Sequence, residues 1–229
     1  MRIKNYSNKF WVQAIFLLAL QVLFFACSPT RLVKPLAKGE QAIGANLGGP
    51  LIQFAGAPIP IPYTSAFYAK GLNNKTSVFG SVHLTALAFG VFQTDIGICQ
   101  QVYHSSKMDW GIGVNPALNI AVDRWEWNTK IWPQLDVNVY KNWGTKRMLY
   151  LGVNNWFEPS AKRAHNETQA KHWYLNPHIG FMYNRGKYSY GVETKWVAPG
   201  VTNVPNIVDY IGINQQGALG VYFQFLRKF

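Results

Sequence analysis

Acidic residues are scarce in this chain. Ten Asp and Glu stand against 22 Lys and Arg in 229 residues, a formal charge of +12. Charged residues of both signs reach only 14%, well below the roughly 25% of ordinary soluble domains. No charged low-complexity tract is present, and Gly and Pro counts are ordinary. Disorder, collagen and coiled coil are thereby excluded. Cysteine is nearly missing too, with Cys27 and Cys99 alone. Mean hydropathy is −0.06, which excludes a polytopic helical membrane protein. Beyond residue 26 no run reaches the 18 or so apolar residues of a spanning helix. Aromatic residues, by contrast, make up 15%. Little charge, many aromatics and neutral hydropathy point to many half-apolar strands.

The first residues read as an address. Arg2, Lys4 and Lys9 precede an almost wholly apolar run, Phe10 to Ala26, in the order of a secretory signal. The run ends Phe24-Phe25-Ala26-Cys27. A small residue followed by Cys resembles the lipobox of bacterial lipoproteins, with Phe24 and Phe25 bulkier than that pattern prefers. The resemblance implies cleavage after residue 26 and acylation of Cys27, palmitate-type lipid included. A plain or uncleaved signal, or a Cys27–Cys99 disulfide, is the alternative that export would permit. Loss of residues 1–26 removes three basic residues and no acid, taking the formal charge from +12 to +9. That surface suits outer-membrane lipid or lipopolysaccharide. Exported and with scattered Lys and Arg, the chain is a poor fit to nucleic acid. The expected organisation is a signal over 1–26, a lipid-anchored linker over 27–38 and one domain over 39–229.

That domain is a string of alternating segments. In Ile131–Tyr140 one face carries Ile131, Leu135, Val137 and Val139 and the other Gln134, Asp136 and Asn138. Residues 172–183 and 218–229 alternate in the same way. Period-two alternation separates an apolar surface from a polar or smaller one. Ten strands are expected, near 40–49, 63–70, 76–85, 94–104, 108–120, 131–142, 146–157, 171–183, 187–197 and 215–229. Short, turn-like connections alternate with longer ones along the whole chain. Short turns at one end and longer loops at the other, with an even strand count, are what a closed transmembrane barrel needs. Closure gives every backbone N–H a partner that lipid cannot supply.

The last segment, Leu219–Phe229, ends in a terminal Phe after alternating apolar and aromatic residues. Phe223, Phe225 and Phe229 resemble the C-terminal assembly signal of bacterial outer-membrane β-barrels, from which Arg227 departs mildly. The resemblance covers residues 40–229 as a pattern. It implies an all-β, closed, antiparallel up-and-down barrel in the bacterial outer membrane, read by the barrel-assembly machinery. Both termini would then be periplasmic.

Trp110, Trp125, Trp127, Trp132, Trp143, Trp156, Trp173 and Trp196 fall mostly at strand ends, as interfacial girdles do. Pro116, Pro133 and Pro177 count against the reading, because each removes a ladder donor and asks for a bulge. So do the apolar connections Leu51–Pro62 and Ala86–Phe92, which either fold as a lid over the barrel mouth or pack only on each other. A lipid-anchored soluble β-domain is the competing architecture.

Candidate site residues are polar groups on the inner face: His83, Asp95, Asp109, Asp136, His178, Glu193 and Lys195. Carboxylates inside a narrow barrel need cationic partners, so these are expected to form a rigidifying network. An acylhydrolase or acyltransferase acting on membrane lipid is the sharper alternative, with His104, Ser105, Ser106 and Asp109 as its nearest local constellation. No G-x-S-x-G elbow is present. His165, His172 and His178 lack metal-site spacing, so no metal and no cofactor is expected.

Overall fold

The structure is a computed structural model and describes residues 29–162, 168–204 and 208–229. The expected signal, with Cys27, lies outside the described residues.

Eleven strands form one antiparallel system: β1 (Gln41–Phe54), β2 (Ala57–Pro60), β3 (Thr64–Asn73), β4 (Thr76–His83), β5 (Val91–Ser105), β6 (Trp110–Asp123), β7 (Thr129–Trp143), β8 (Arg147–Phe157), β9 (Trp173–Arg185), β10 (Tyr188–Thr202) and β11 (Gln216–Lys228). Ten of them close a barrel, because β11 pairs with β1 from Ala42↔Lys228 to Pro50↔Gly220. The remaining strand, β2, is a hairpin partner of the far end of β1 and stands outside the barrel wall. All ten expected strands are present, each near its expected bounds.

Alternation decides which way each side chain turns. On the outer face Ile43, Ile96, Leu118, Leu151, Ile179 and Phe223 are 47, 59, 47, 56, 52 and 53% exposed. Turned inward are Asn46, Ser65, Ser81, Asp95, Asn138 and Glu193, all buried. The outer wall is apolar, while the interior mixes these polar groups with buried aromatic and apolar ones such as Phe67, Phe79, Trp132 and Tyr140, an arrangement unlike that of a soluble fold with a polar surface.

The three prolines sit where pairing already lapses. Pro116 pairs with Leu135 on one side, while on the other the β5–β6 ladder skips from Gly97↔Ala117 to Gln100↔Val114 with its register kept. Pro133 lies one residue beyond the last β7–β8 pair, Gln134↔Trp156. Pro177 follows the last β9–β10 pair, Lys195↔His178. No bulge is needed at any of them: the missing N–H points where no acceptor waits. The bulges lie elsewhere, between Gly71 and Asn73, between Gln101 and Tyr103 and between Val197 and Thr202.

The apolar connections correct the expectation in part. The β1–β2 hairpin is exposed, with Phe54 61% accessible, and it is braced by residues 209–211 through Gln53 N–H to Asp209 O and Ile211 N–H to Leu51 O. It is no lid. The second connection forms a short helix, α1 (Leu84–Ala88), whose Ala86 packs on Val91, Ala121, Trp132, Trp156 and Tyr174 at the barrel mouth. Trp132 and Trp156 are therefore lumen residues, 4 and 5% exposed, and not part of a girdle. Trp125, Trp127, Trp143 and Trp173 are exposed at the strand ends, as expected.

Candidate functional site: a plugged polar lumen

The stretch expected as a tether is, in its described part, inside the barrel. Thr30, Arg31, Leu32, Val33 and Leu36 are 2, 4, 6, 3 and 4% exposed. The segment rises from the short-turn end, where Lys38 N–H donates to Asn74 Oδ1 at 3.0 Å. Leu36 N–H donates to Ser77 Oγ at 2.8 Å. Higher up, Asn115 Nδ2 donates to Leu32 O at 2.6 Å, and Gln224 Nε2 donates to Thr30 O and Arg31 O at 3.1 and 3.0 Å. A chain with no secondary structure of its own thus borrows hydrogen bonds from the wall, which a buried backbone requires.

Apolar side chains of the segment fill the lower lumen on two sides. Leu32 and Leu36 join Ala42, Phe67, Ala69, Phe79, Cys99 and Leu226. Val33 joins Tyr140, Met148, Tyr150 and Met182. Burying each aliphatic chain contributes about 1.5–3 kcal/mol. Gly113 and Gly71 leave room for the backbone: a Cβ at either would strike the carbonyl of Val33 or Ala37.

Arg31 is the polar anchor. Its Nη2 and Nε donate to Asp95 Oδ2 and Oδ1 at 2.7 and 3.3 Å, a two-point pair. Nη1 donates to Ser65 Oγ at 2.7 Å and Nη2 to Ser81 Oγ at 3.1 Å. His83 Nε2 lies 2.9 Å from the same Asp95 Oδ2. The partners come from β3, β4 and β5, so one guanidinium ties the segment to three strands.

A second cluster holds Thr30. Its N–H donates to the Glu193 carboxylate, at 3.2 Å to Oε2, and its Oγ1 lies 3.3 Å from His178 Nε2. Tyr150 O–H donates to Glu193 Oε2 at 3.0 Å, and Lys195 Nζ is 3.3 Å from Glu193 Oε1. Tyr150 reaches across β9 because Gly180 lies opposite it in register, and any Cβ there would collide with the ring. His178 Nε2 likewise reaches Asn138 Oδ1 at 2.7 Å across Gly152. Glycines on the inner face thus let long polar side chains lie flat over a neighbouring strand.

Of the expected network, His83 and Asp95 meet around Arg31, and His178, Glu193 and Lys195 meet around Thr30. Asp136 lines the lumen on β7, opposite Asn115 and Asn154, outside both clusters. Asp109 does not belong to the lumen. It occupies the β5–β6 turn with φ +51°, and its Oδ1 accepts from Asn142 Nδ2 at 2.8 Å. A short polar side chain tolerates that backbone, which explains an Asp there. Among the described residues, no hydrogen bond joins His104 to Ser105, Ser106 or Asp109, and His104 is exposed. Arg31, Thr30 and Gln224 belong to these clusters and were not among the expected site residues. Phe223 and Phe225 face outward, and Phe229 closes the ladder with its N–H on Gln41 O at 2.9 Å.

Above the segment, the upper lumen is closed by Trp132, Trp156 and Tyr174, with the Trp132 indole donating to Glu158 Oε2 at 2.6 Å. Gln169 folds in from the β8–β9 connection and donates to Tyr174 Oη at 2.7 Å. What the fold and lumen define is a closed ten-stranded barrel, apolar outside and charged within, occupied by its own N-terminal segment.

No family model matches the chain, and no curated protein matches it in sequence. Several solved structures share its form. An outer membrane channel from Pseudomonas putida F1 matches at 9% identity and TM-score 0.48, covering 88% of this chain and all of that one. The translocator domain of autotransporter NalP from Neisseria meningitidis matches at 7% and 0.42, covering 97% and 96%. The outer membrane protein OprG from Pseudomonas aeruginosa matches at 12% and 0.31, covering 86% and 99%. At such identities and TM-scores the likeness is one of barrel form and says nothing about what this chain binds.

Proposed function

We propose that the protein is a β-barrel of the bacterial outer membrane, inserted with its short turns toward the periplasm. Its own N-terminal segment keeps the lumen shut, and it works as a structural or binding barrel without chemistry of its own. The apolar outer wall supports this reading: large aliphatic and aromatic side chains such as Ile96, Leu151, Ile179 and Phe223 face out, while the charged Arg31, Asp95, Glu193 and Lys195 are buried inside. Such a surface is stable against hydrocarbon and costly in water. Phe223, Phe225 and Phe229 then serve as the signal for the assembly machinery.

The acyl group expected on Cys27 competes with the seated segment. Three residues span at most about 10 Å. Thr30 is held by Glu193, five positions up β10 from Tyr188, roughly 16 Å along the strand. An anchor on Cys27, three residues before Thr30, would draw on the same short stretch that seats Thr30. Lipid anchoring and plugging are alternative states of this segment.

The test is an unboiled gel followed by planar-bilayer recording. The folded barrel should migrate differently before and after heating and should conduct no current until residues 29–38 are removed. Unchanged mobility on heating would refute the barrel in membranes. Steady conductance of the intact chain would refute the plug.

A further inference from the structure

Charge is divided unevenly between the two ends of the barrel. At the long-loop rim, the described basic residues Arg124, Lys130, Lys162 and Lys171 are offset by Asp123, Glu126, Glu158 and Asp209. At the short-turn rim every turn carries exposed base: Lys75, Lys107, Lys146, Arg185 and Lys187. Only two described acids share that end. Glu40 is spent on Lys228 at 3.8 Å, and Asp109 accepts from Asn142.

Four further bases, Lys70, Lys141, Arg147 and Arg227, sit on the outer wall, Lys141 with its Nζ donating to Met108 O of the neighbouring turn. They lie at the short-turn ends of β3, β7, β8 and β11. Three of them face an aromatic ring across the ladder: Arg227 opposite Tyr188, Arg147 opposite Trp143 and Tyr183, and Lys141 opposite Trp110. Lys70 follows Tyr68 on the same face. Tyr68, Trp143 and Tyr188 are 43, 52 and 40% exposed. Aromatic rings of this kind mark headgroup depth, and long basic side chains beside them place their charge among phosphates.

We propose that this rim is a collar for the phosphate headgroups of anionic phospholipid in the leaflet at the short-turn end. The proposal rests on the membrane reading above and adds the lipid class and the leaflet. Radial placement favours lipid over a soluble acidic partner, which would meet the turns along the axis. The balanced opposite rim places the collar away from the leaflet that carries lipopolysaccharide.

The experiment compares the full chain in phosphatidylcholine vesicles with and without phosphatidylglycerol. Thermal unfolding and co-purified lipid are both read. Phosphatidylglycerol should raise the unfolding temperature of the wild type and be retained preferentially. Both effects should vanish in 1 M salt, where the screening length is about 3 Å. Replacing Lys70, Lys141, Arg147 and Arg227 by Gln should abolish the gain, each change lowering retention by about fivefold. Heat-dependent gel mobility and stability in phosphatidylcholine alone should persist in that variant. A gain that survives the four substitutions overturns the proposal. So does a gain lost only when Lys75, Lys107, Lys146 and Lys187 are replaced, because that moves the lipid contact from the outer wall to the turns. Failure to insert even into phosphatidylcholine would strike the membrane reading itself, and the gel distinguishes the two failures.

Discussion

Arg31→Ala is the sharpest perturbation of the lumen. Arg31 makes the two-point pair with Asp95, both side chains being almost fully buried at 4 and 6% exposure. Breaking a buried pair from one side costs about 3–5 kcal/mol, because the abandoned charge stays behind. Spent on the seated segment, that loss lowers the ratio of seated to released forms by about a hundredfold to several thousandfold. The structure supplies its own reporter. Cys99 is 0% exposed and its sulfur lies 3.9 Å from Leu32 O, directly beneath the segment. In a Cys27→Ser background, maleimide should leave Cys99 untouched in the folded wild type. It should label Cys99 in Arg31→Ala. Adding Asp95→Asn to that variant should restore part of the protection, since the stranded carboxylate is gone. Equal labelling of wild type and Arg31→Ala, or continued protection after removal of residues 29–38, would refute the seated segment.

Further outcomes follow from the same contacts. Gly180→Val should destabilise the barrel by about 1–3 kcal/mol by driving a branched side chain into the Tyr150 ring, measured as a lower urea midpoint in vesicles. Trp132→Ala should cost about 3–5 kcal/mol and open the upper lumen, seen as faster labelling of a thiol introduced at Gln93. Asp109→Ala should cost about 1–2.5 kcal/mol, one turn hydrogen bond plus the strain of Ala at a positive φ, whereas Asp95→Ala should cost about 3 kcal/mol or more. Equal losses at Asp95 and Asp109 in urea unfolding would return Asp109 to the lumen network. Acyl labelling of the wild type, lost in Cys27→Ser, would establish the anchor; in labelled molecules Cys99 should be open to maleimide.

The wall was legible because alternation is a local signal. Ile131–Tyr140 declares its two faces in ten residues, and β7 follows them with Asn138 buried and Val137 exposed. Alternating short and long connections fixed antiparallel neighbours. Closure by β1 and β11 joins residues at opposite ends of the chain, and an even strand count alone suggested it. The plug was not legible. Thr30 and Glu193 are 163 positions apart, and Arg31 and Asp95 are 64 apart, so no window contains both partners. One hint was present: a true tether is rich in Gly or Ser, whereas Leu32, Val33 and Leu36 ask for burial. Asp109 misled because a strand face and a turn differ by one residue at the β6 boundary. Trp132 misled because a ring near a strand end meets either the headgroups or the lumen, depending on parity.

The barrel's place in the membrane depends on which face meets hydrocarbon. Nitroxide labels placed singly at positions 134 to 139 of β7, in vesicles, measure it directly. Collisions with oxygen should rise at Leu135, Val137 and Val139 and fall at Gln134, Asp136 and Asn138, with a period of two. Uniform accessibility to a water-soluble nickel reagent, or an alternation of opposite phase, would contradict the barrel's placement in lipid.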